Sequence, residues 1–209
     1  MRPKLRCFLS AALISAPALA NDSVYTDVSR DKCRLLREWE GASSQSLCPG
    51  IGDYPVHFIE SDIRQSFFFG HVRQSYLENG FESFGPFNHA ETTVEWRLDD
   101  SRKPVAAILR WIIENPDPQT DRSTKAFQGQ VLVISKVAQK EDGDGCVVGY
   151  VDALANADAN TLARRIGDEE AASFRCGTDQ ASYHGNRGEK AGEPMHFLPK
   201  RGYPKRPDR

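Results

Sequence analysis

The chain lacks the short motifs that identify common classes of enzyme. It contains no G-x-S-x-G sequence, so the serine nucleophile of an α/β hydrolase is not predicted. It contains no Cys-x-x-Cys pair, so neither a dithiol redox centre nor a cysteine-based zinc site is predicted. We read Gly41-Ala42-Ser43-Ser44 as a turn. No internal repeat is present, and the residues indicate no cofactor and no metal.

Long apolar runs are also missing after Ala20, so the sequence beyond that residue predicts no transmembrane segment. Residues 1–20, in contrast, have the pattern of an export signal. An apolar stretch, residues 7–16, is about half the length that a membrane-spanning helix needs. Ala18 and Ala20 match the small residues that a signal peptidase requires. Three basic residues come first: Arg2, Lys4 and Arg6. We expect cleavage after Ala20 and a periplasmic or secreted protein.

Cysteine is scarce, and the predicted compartment decides how it is interpreted. Cys7 leaves with the signal, and it does not directly follow the small residues as a lipid-anchored cysteine would. The four others, an even number in an oxidising compartment, predict two disulfides. Four cysteines allow three pairings. We favour Cys33–Cys48 and Cys146–Cys176, because each pair is local in sequence and brackets one supersecondary unit. Each closed loop would stabilise the fold by about 3–4 kcal/mol.

Positive charge is deficient over most of the mature chain. Residues 21–183 carry 17 basic and 26 acidic residues, a net charge of −9, whereas residues 184–209 carry a net charge of +4. The acidic body would repel phosphate, so no nucleic-acid partner is predicted.

Residues 184–209 are rich in proline and glycine and poor in apolar side chains, which predicts a disordered basic tail. One alternative assigns the tail a contact with an anionic envelope component or an envelope protein.

Between the signal and the tail, apolar residues alternate with a period of two and favour strands. We predict two hairpins, followed by four single strands. The hairpins pair residues 33–38 with 45–48 and 55–61 with 65–72; the strands are 93–98, 105–114, 129–137 and 146–151. Trp96 and Trp111 are predicted to lie in the core.

A helical period occurs in a single late segment. Ala159, Leu162, Ala163 and Ile166 form one apolar stripe, and Asn156 is the predicted N-cap. The fold class is therefore α+β: one domain over residues 21–183, with a largely antiparallel meandering sheet, one late helix packed on a face and two disulfides.

Residues 73–91 are predicted to be a long connection. It contains Phe81, Phe84 and Phe87, which either pack on the core or present an apolar binding surface.

Histidine is the first residue type to consider for acid–base work. His57 and His71 could face each other across the second hairpin, with Asp62 near its turn, and such a trio could hold a metal or transfer a proton. The register is not fixed by sequence, so surface histidines are the alternative. His184 and His196 fall in the predicted tail, and His89 completes the set of five.

Two carboxylate patterns are also candidates for a functional site. Residues 141–145 place three acids close together like a calcium loop, but they lack its length and distal Glu, so a hairpin turn is favoured. A glycosidase pair would have to come from separate strands, for example Glu60 and Glu95, and would depend on geometry.

Several segments together resemble a set of small exported bacterial proteins that have no assigned activity. The resemblance spans most of residues 25–177 and implies an envelope location and a disulfide-bonded domain, with nothing catalytic. It rests on four segments: Tyr25-Thr26-Asp27, Cys48-Pro49-Gly50 with Tyr54-Pro55-Val56, residues 149–156, and Phe174-Arg175-Cys176-Gly177.

The sequence therefore favours a non-enzymatic binding or accessory module of the envelope, a class that includes inhibitors of envelope enzymes. The alternative is a small periplasmic hydrolase whose site is assembled from separate strands.

Overall fold

The computed structural model describes residues 22–39 and 43–200. The predicted signal and cleavage site, Gly41 and Ala42 of the predicted turn, and residues 201–209 of the predicted tail lie outside these ranges. The strands are β1 (Asp22–Asp27), β2 (Arg34–Trp39), β3 (Ser43–Ile51), β4 (Tyr54–Ser61), β5 (Arg64–Phe69), β6 (Phe81–Phe84), β7 (Phe87–Leu98), β8 (Pro104–Glu114), β9 (Gly129–Lys136), β10 (Val147–Asp152), β11 (Ser182–Tyr183) and β12 (Pro194–Phe197). The α-helices are α1 (Gln74–Asn79) and α2 (Ala159–Glu170), and two 3₁₀ turns span Arg30–Lys32 and Glu189–Ala191.

The strands form three sheets. A six-stranded sheet has the order β1-β7-β8-β9-β10-β11, a four-stranded sheet has the order β2-β3-β4-β5, and β6 pairs with β12 in a two-stranded ribbon. All pairs of strands are antiparallel except β10 with β11. The predicted α+β class is confirmed, and so are both predicted hairpins, β2–β3 and β4–β5.

The two larger sheets share an aromatic core. Phe69 of the four-stranded sheet meets Trp96 of the six-stranded sheet edge to face, with ring centroids 5.7 Å apart. Phe67 meets Trp111 in the same way at 5.8 Å. Both tryptophans are buried as predicted. Because alternate residues of a strand point to one face, each sheet contributes one apolar row to this core.

Helix α2 covers the opposite face of the six-stranded sheet. Its predicted stripe buries Ala163 and Ile166, and Leu162 packs at the edge of the same cluster. Gly167 lies against the sheet, where an added Cβ would be 3.2 Å from the Cβ of Ala106. A glycine therefore allows the helix to approach the sheet closely, although it lowers helix propensity.

The predicted N-cap of this helix is wrong. The capping residue is Asp158, and it makes no side-chain cap hydrogen bond. Asn156 instead donates to the carbonyls of Asp152, at 2.8 Å, and Asn186, at 2.7 Å. Its amide therefore joins the connection before α2 to a later part of the chain.

Both predicted disulfides are confirmed. Cys33–Cys48 closes the first hairpin, and Cys146–Cys176 joins the residue before β10 to the segment that follows α2. The second disulfide packs in a cluster with Phe68 and Tyr76. In the described part of the chain, no helix is long and apolar enough to cross a membrane.

The long connection predicted for residues 73–91 is wrong. It contains α1, β6 and the beginning of β7. Its phenylalanines differ in environment: Phe84 is buried, Phe81 is partly buried, and Phe87 is exposed. The prediction missed β6 because a four-residue strand is too short to show a clear alternation.

The disorder predicted for residues 184–209 is wrong for residues 184–200. The backbone amide of His184 donates to Tyr150 at 2.9 Å, and β12 pairs with β6. Ala191 is fully buried. At Gly129, an added Cβ would lie 1.8 Å from the carbonyl of Lys190, so the segment packs directly on β9. Long-range backbone pairing stabilises a segment that has few apolar side chains of its own.

Candidate functional site

The structure brings His57 and His71 near each other but leaves Asp62 apart. The Nε2 of His57 lies 3.2 Å from the carbonyl of Gly70, and His71 lies 3.7 Å from a carboxylate oxygen of Asp53. Asp62 lies at the turn, at the other end of the hairpin, where it pairs with Arg64. In residues 22–39 and 43–200, no group of three His, Cys, Asp or Glu side chains is arranged to hold a metal ion.

Burial lowers the pKa of His57 below its ordinary value of 6.5, and the neighbouring His71 lowers it further. The carbonyl of Gly70 acts in the opposite direction. The Nδ1 of His57 is buried and has no hydrogen-bond partner among the described residues. His57 is therefore a largely buried imidazole that loses its proton more readily than a free histidine.

The candidate carboxylates do not converge. Glu60 is on β4 and binds Arg30 at 2.6 Å, whereas Glu95 is on β7 in the other large sheet and binds Arg164 at 2.6 Å. Arg97 lies beside Glu95 and binds Asp168 of α2 through two contacts of 2.8 and 2.7 Å. These ion pairs attach α2 to the sheet, so the carboxylate of Glu95 stabilises the fold.

The acidic segment 141–145 is a turn between β9 and β10. Gly143 has a φ of +63°, and the side chain of Asp142 accepts a hydrogen bond from the backbone of Asp144. Asp144 is buried and pairs with Arg73. Its charge is thus neutralised by an arginine, as expected for a buried acid.

A partly exposed histidine of the predicted tail, His196, connects two buried polar side chains in a relay. The Nδ1 of His196 is 3.1 Å from a carboxylate oxygen of Glu82, and its Nε2 is 2.7 Å from the hydroxyl of Tyr150. The other carboxylate oxygen of Glu82 accepts the backbone amide of Val147 at 2.8 Å. Burial holds the pKa of Tyr150 well above its ordinary value, and the charge of Glu82 acts in the same direction.

Each polar group in this relay is used by a neighbour within it. The Tyr150 hydroxyl is hydrogen-bonded to the histidine, as a nucleophile would be to its base. It is on a side chain that is only 1% exposed. A catalytic base needs a free nitrogen within reach of the substrate. We therefore interpret the relay as a clamp that holds β12 on β6 and β10.

The strand β12 separates two depressions of the surface. His196 lines a cavity of about 360 Å³ together with Glu82 and Cys146. Met195 and Phe197, on the other side of the strand, line an open groove of about 660 Å³. Alternation along one short strand thus places a polar side chain in one depression and apolar side chains in the other.

We call the larger depression the aromatic groove. Its apolar surface comes from parts of the chain that are distant in sequence: Trp39, Ile59, Leu77, Phe81, Met195 and Phe197. Three of them remain strongly exposed, with 42% of Trp39, 42% of Met195 and 63% of Phe197 accessible to solvent. Exposed apolar side chains that share one concave surface are typical of a binding site.

Comparisons with protein-family models, curated proteins and solved structures found no match.

The rim of the aromatic groove is predominantly acidic. Glu60, Asp62 and Glu78 line it, and Arg64 is its one basic lining residue among the described parts of the chain. Arg64 binds Asp62 at 2.5 Å, and Glu78 accepts a hydrogen bond from the amide of Gln74 at 3.0 Å. Glu60 is paired with Arg30, which lies outside the lining, so Glu78 is the lining carboxylate without an ion pair among the described residues.

Sequence reasoning missed this groove. Trp39 ends a predicted strand, whereas Met195 and Phe197 belong to the predicted tail. The signal that could have revealed β12 is the alternation of Met195, His196 and Phe197 immediately after Pro194.

Proposed function

We propose that this protein is an exported, non-enzymatic binding module that holds its ligand in the aromatic groove. One observation carries the proposal: Trp39 and Phe197, far apart in the sequence, both line one open groove while remaining exposed. An exposed aromatic side chain increases the apolar area in water, and a partner that covers it would offset that cost.

The proposal includes export through residues 1–20, cleavage after Ala20, and residence in the periplasm or outside the cell. The two disulfides support an oxidising compartment. Mass spectrometry of the exported protein should give a chain that starts at Asn21, and retention of residues 1–20 would contradict this part of the proposal.

The function is tested by photo-crosslinking in living cells. The photoreactive amino acid p-benzoylphenylalanine replaces Phe197 in the groove or, as a matched control, Leu154, which is 55% exposed and lies outside the groove. We expect a specific adduct from position 197 that is absent at position 154. The adduct should also be lost in a Trp39→Ala background.

Equal adducts from both positions, or none from position 197, would contradict a binding role for the groove. Hydrolysis of envelope substrates that is abolished by His57→Ala or Glu95→Ala would favour the enzyme alternative instead.

A further inference from the structure

We infer that residues 201–209 of this chain dock intramolecularly in the aromatic groove and compete there with the external ligand. This inference rests on the proposed function of the groove, because it identifies a second occupant of that same surface. Four features support it: the reach of the segment, its charge, its proline pattern and the aromatic surface of the groove.

The reach follows from the position of β12. Phe197 lines the groove and Arg201 follows four residues later, so the Cα atoms of these residues are at most about 15 Å apart. Nine extended residues span up to about 30 Å. The segment is therefore long enough to reach the groove from the end of β12.

The charges of the segment and the groove are complementary. Residues 201–209 contain four basic residues and one acidic residue, a net charge of +3: Arg201, Lys205, Arg206, Asp208 and Arg209. The groove is lined by Glu60, Asp62 and Glu78. Glu60 is already paired with Arg30 and Asp62 with Arg64, so Glu78 is the lining carboxylate without an ion pair among the described residues. A basic side chain of the segment can pair with Glu78, and it can also compete for the ring of Trp39, over which the guanidinium of Arg37 lies 5.5 Å from the centroid.

The proline pattern agrees with the shape of the site. Pro204-Lys205-Arg206-Pro207 is a P-x-x-P sequence, which favours the extended polyproline II conformation. Segments of this type dock in grooves lined by aromatic side chains, because little conformational entropy is lost on binding. The aromatic groove supplies Trp39, Phe81 and Phe197.

Tethering makes even a weak contact effective. A short flexible connection gives an effective concentration in the millimolar range, so a segment with a Kd of about 1 mM would occupy the groove in about half of the molecules.

The experiment compares the full chain with a chain that ends at Lys200. Trp39 is the natural reporter, since the chain has three tryptophans and the other two, Trp96 and Trp111, are buried. Acrylamide quenching of Trp39 is measured with the Trp39→Phe variant as the baseline. We expect truncation to increase the quenching constant about twofold.

Two controls separate docking from a change in folding. The truncated chain should keep the unfolding midpoint of the full chain, because every described element is retained. A full chain with Lys205→Gln and Arg206→Gln should behave like the truncated one at low salt. A synthetic peptide of residues 201–209, added to the truncated chain, should shift the NMR signals of Trp39 and Phe197.

Unchanged quenching after truncation would overturn the inference, as would a peptide that shifts signals outside the groove. Protection of Trp39 that rises with protein concentration would also overturn it, because the segment would then be bound by a second copy. If truncation has no effect but the adduct from position 197 persists, this inference fails and the proposed function stands.

Discussion

His196 and Glu82 lie opposite each other on β12 and β6, with the imidazole Nδ1 3.1 Å from a carboxylate oxygen. The side chain of Glu82 is only 1% exposed. Its buried carboxylate has two partners, the imidazole of His196 and the backbone amide of Val147. The pair thereby holds the ribbon that forms one wall of the aromatic groove.

Replacing His196 by alanine should lower the free energy of unfolding by about 1–3 kcal/mol, because one acceptor of Glu82 and the hydroxyl of Tyr150 lose their partner. Urea unfolding measures the change. The control is Phe197→Ala at the neighbouring exposed position, where a change within about 0.5 kcal/mol is expected. Equal losses in the two variants would show that the relay contributes no special stability.

The two disulfides should contribute unequally. They join residues separated by 15 and 30 positions, so replacing both cysteines of a pair by alanine should cost about 3 kcal/mol for Cys33–Cys48 and about 3.5 kcal/mol for Cys146–Cys176. Denaturant unfolding of each double variant gives the cost, and thiol titration of the parent should find no free thiol among these four. A cost below about 1 kcal/mol for either pair would contradict the loop-entropy argument.

His57 should make the protein less stable in mild acid. Its pKa in the folded protein is below 6.5, so the unfolded chain binds the proton first as the pH falls. The free energy of unfolding should therefore decrease as the pH drops from 6.5 through the folded pKa, and this component should be constant above that window. The His57→Gln variant, which cannot titrate, should lose it.

The matched control is His89→Gln, because His89 has a half-exposed side chain on β7. Unfolding is measured from pH 7.5 to 4.5. If the His57→Gln variant keeps the pH dependence of the parent while the His89→Gln variant loses it, the assignment to His57 is wrong.

Asp168 should be important for the attachment of α2. Arg97 is 4% exposed and binds both carboxylate oxygens of Asp168, so Asp168→Ala would leave a buried guanidinium with only its other partners. A loss of about 3 kcal/mol is expected. The exposed pair Arg187–Glu193 is the control, and Glu193→Ala should cost at most about 1 kcal/mol. Similar losses in both variants would indicate that the burial of Arg97 is not decisive.

The sequence predicted the parts of the fold whose signals are contiguous. Both hairpins, the helix stripe through Ala163 and Ile166, and the two disulfides each involve residues that are close in the chain. Periodicity over a few residues reports which face is buried, and short loops close at a small entropic cost.

The candidate site could not be predicted in the same way. The sequence around Phe197 is rich in proline and glycine and predicts a disordered tail, whereas the pairing partner of Phe197 in β6 is more than one hundred residues away. Composition measures the cost of ordering a segment, but it does not show which distant strand will supply the hydrogen bonds.

By itself, therefore, the sequence determined the α+β class and the even number of cysteines behind the two disulfides, and it predicted the burial of Trp96 and Trp111. Only the tertiary structure decided that Trp39 and Phe197 share one groove and that His196 clamps Glu82. Local pattern depends on neighbours in the chain, whereas a site depends on packing that brings remote side chains to one surface.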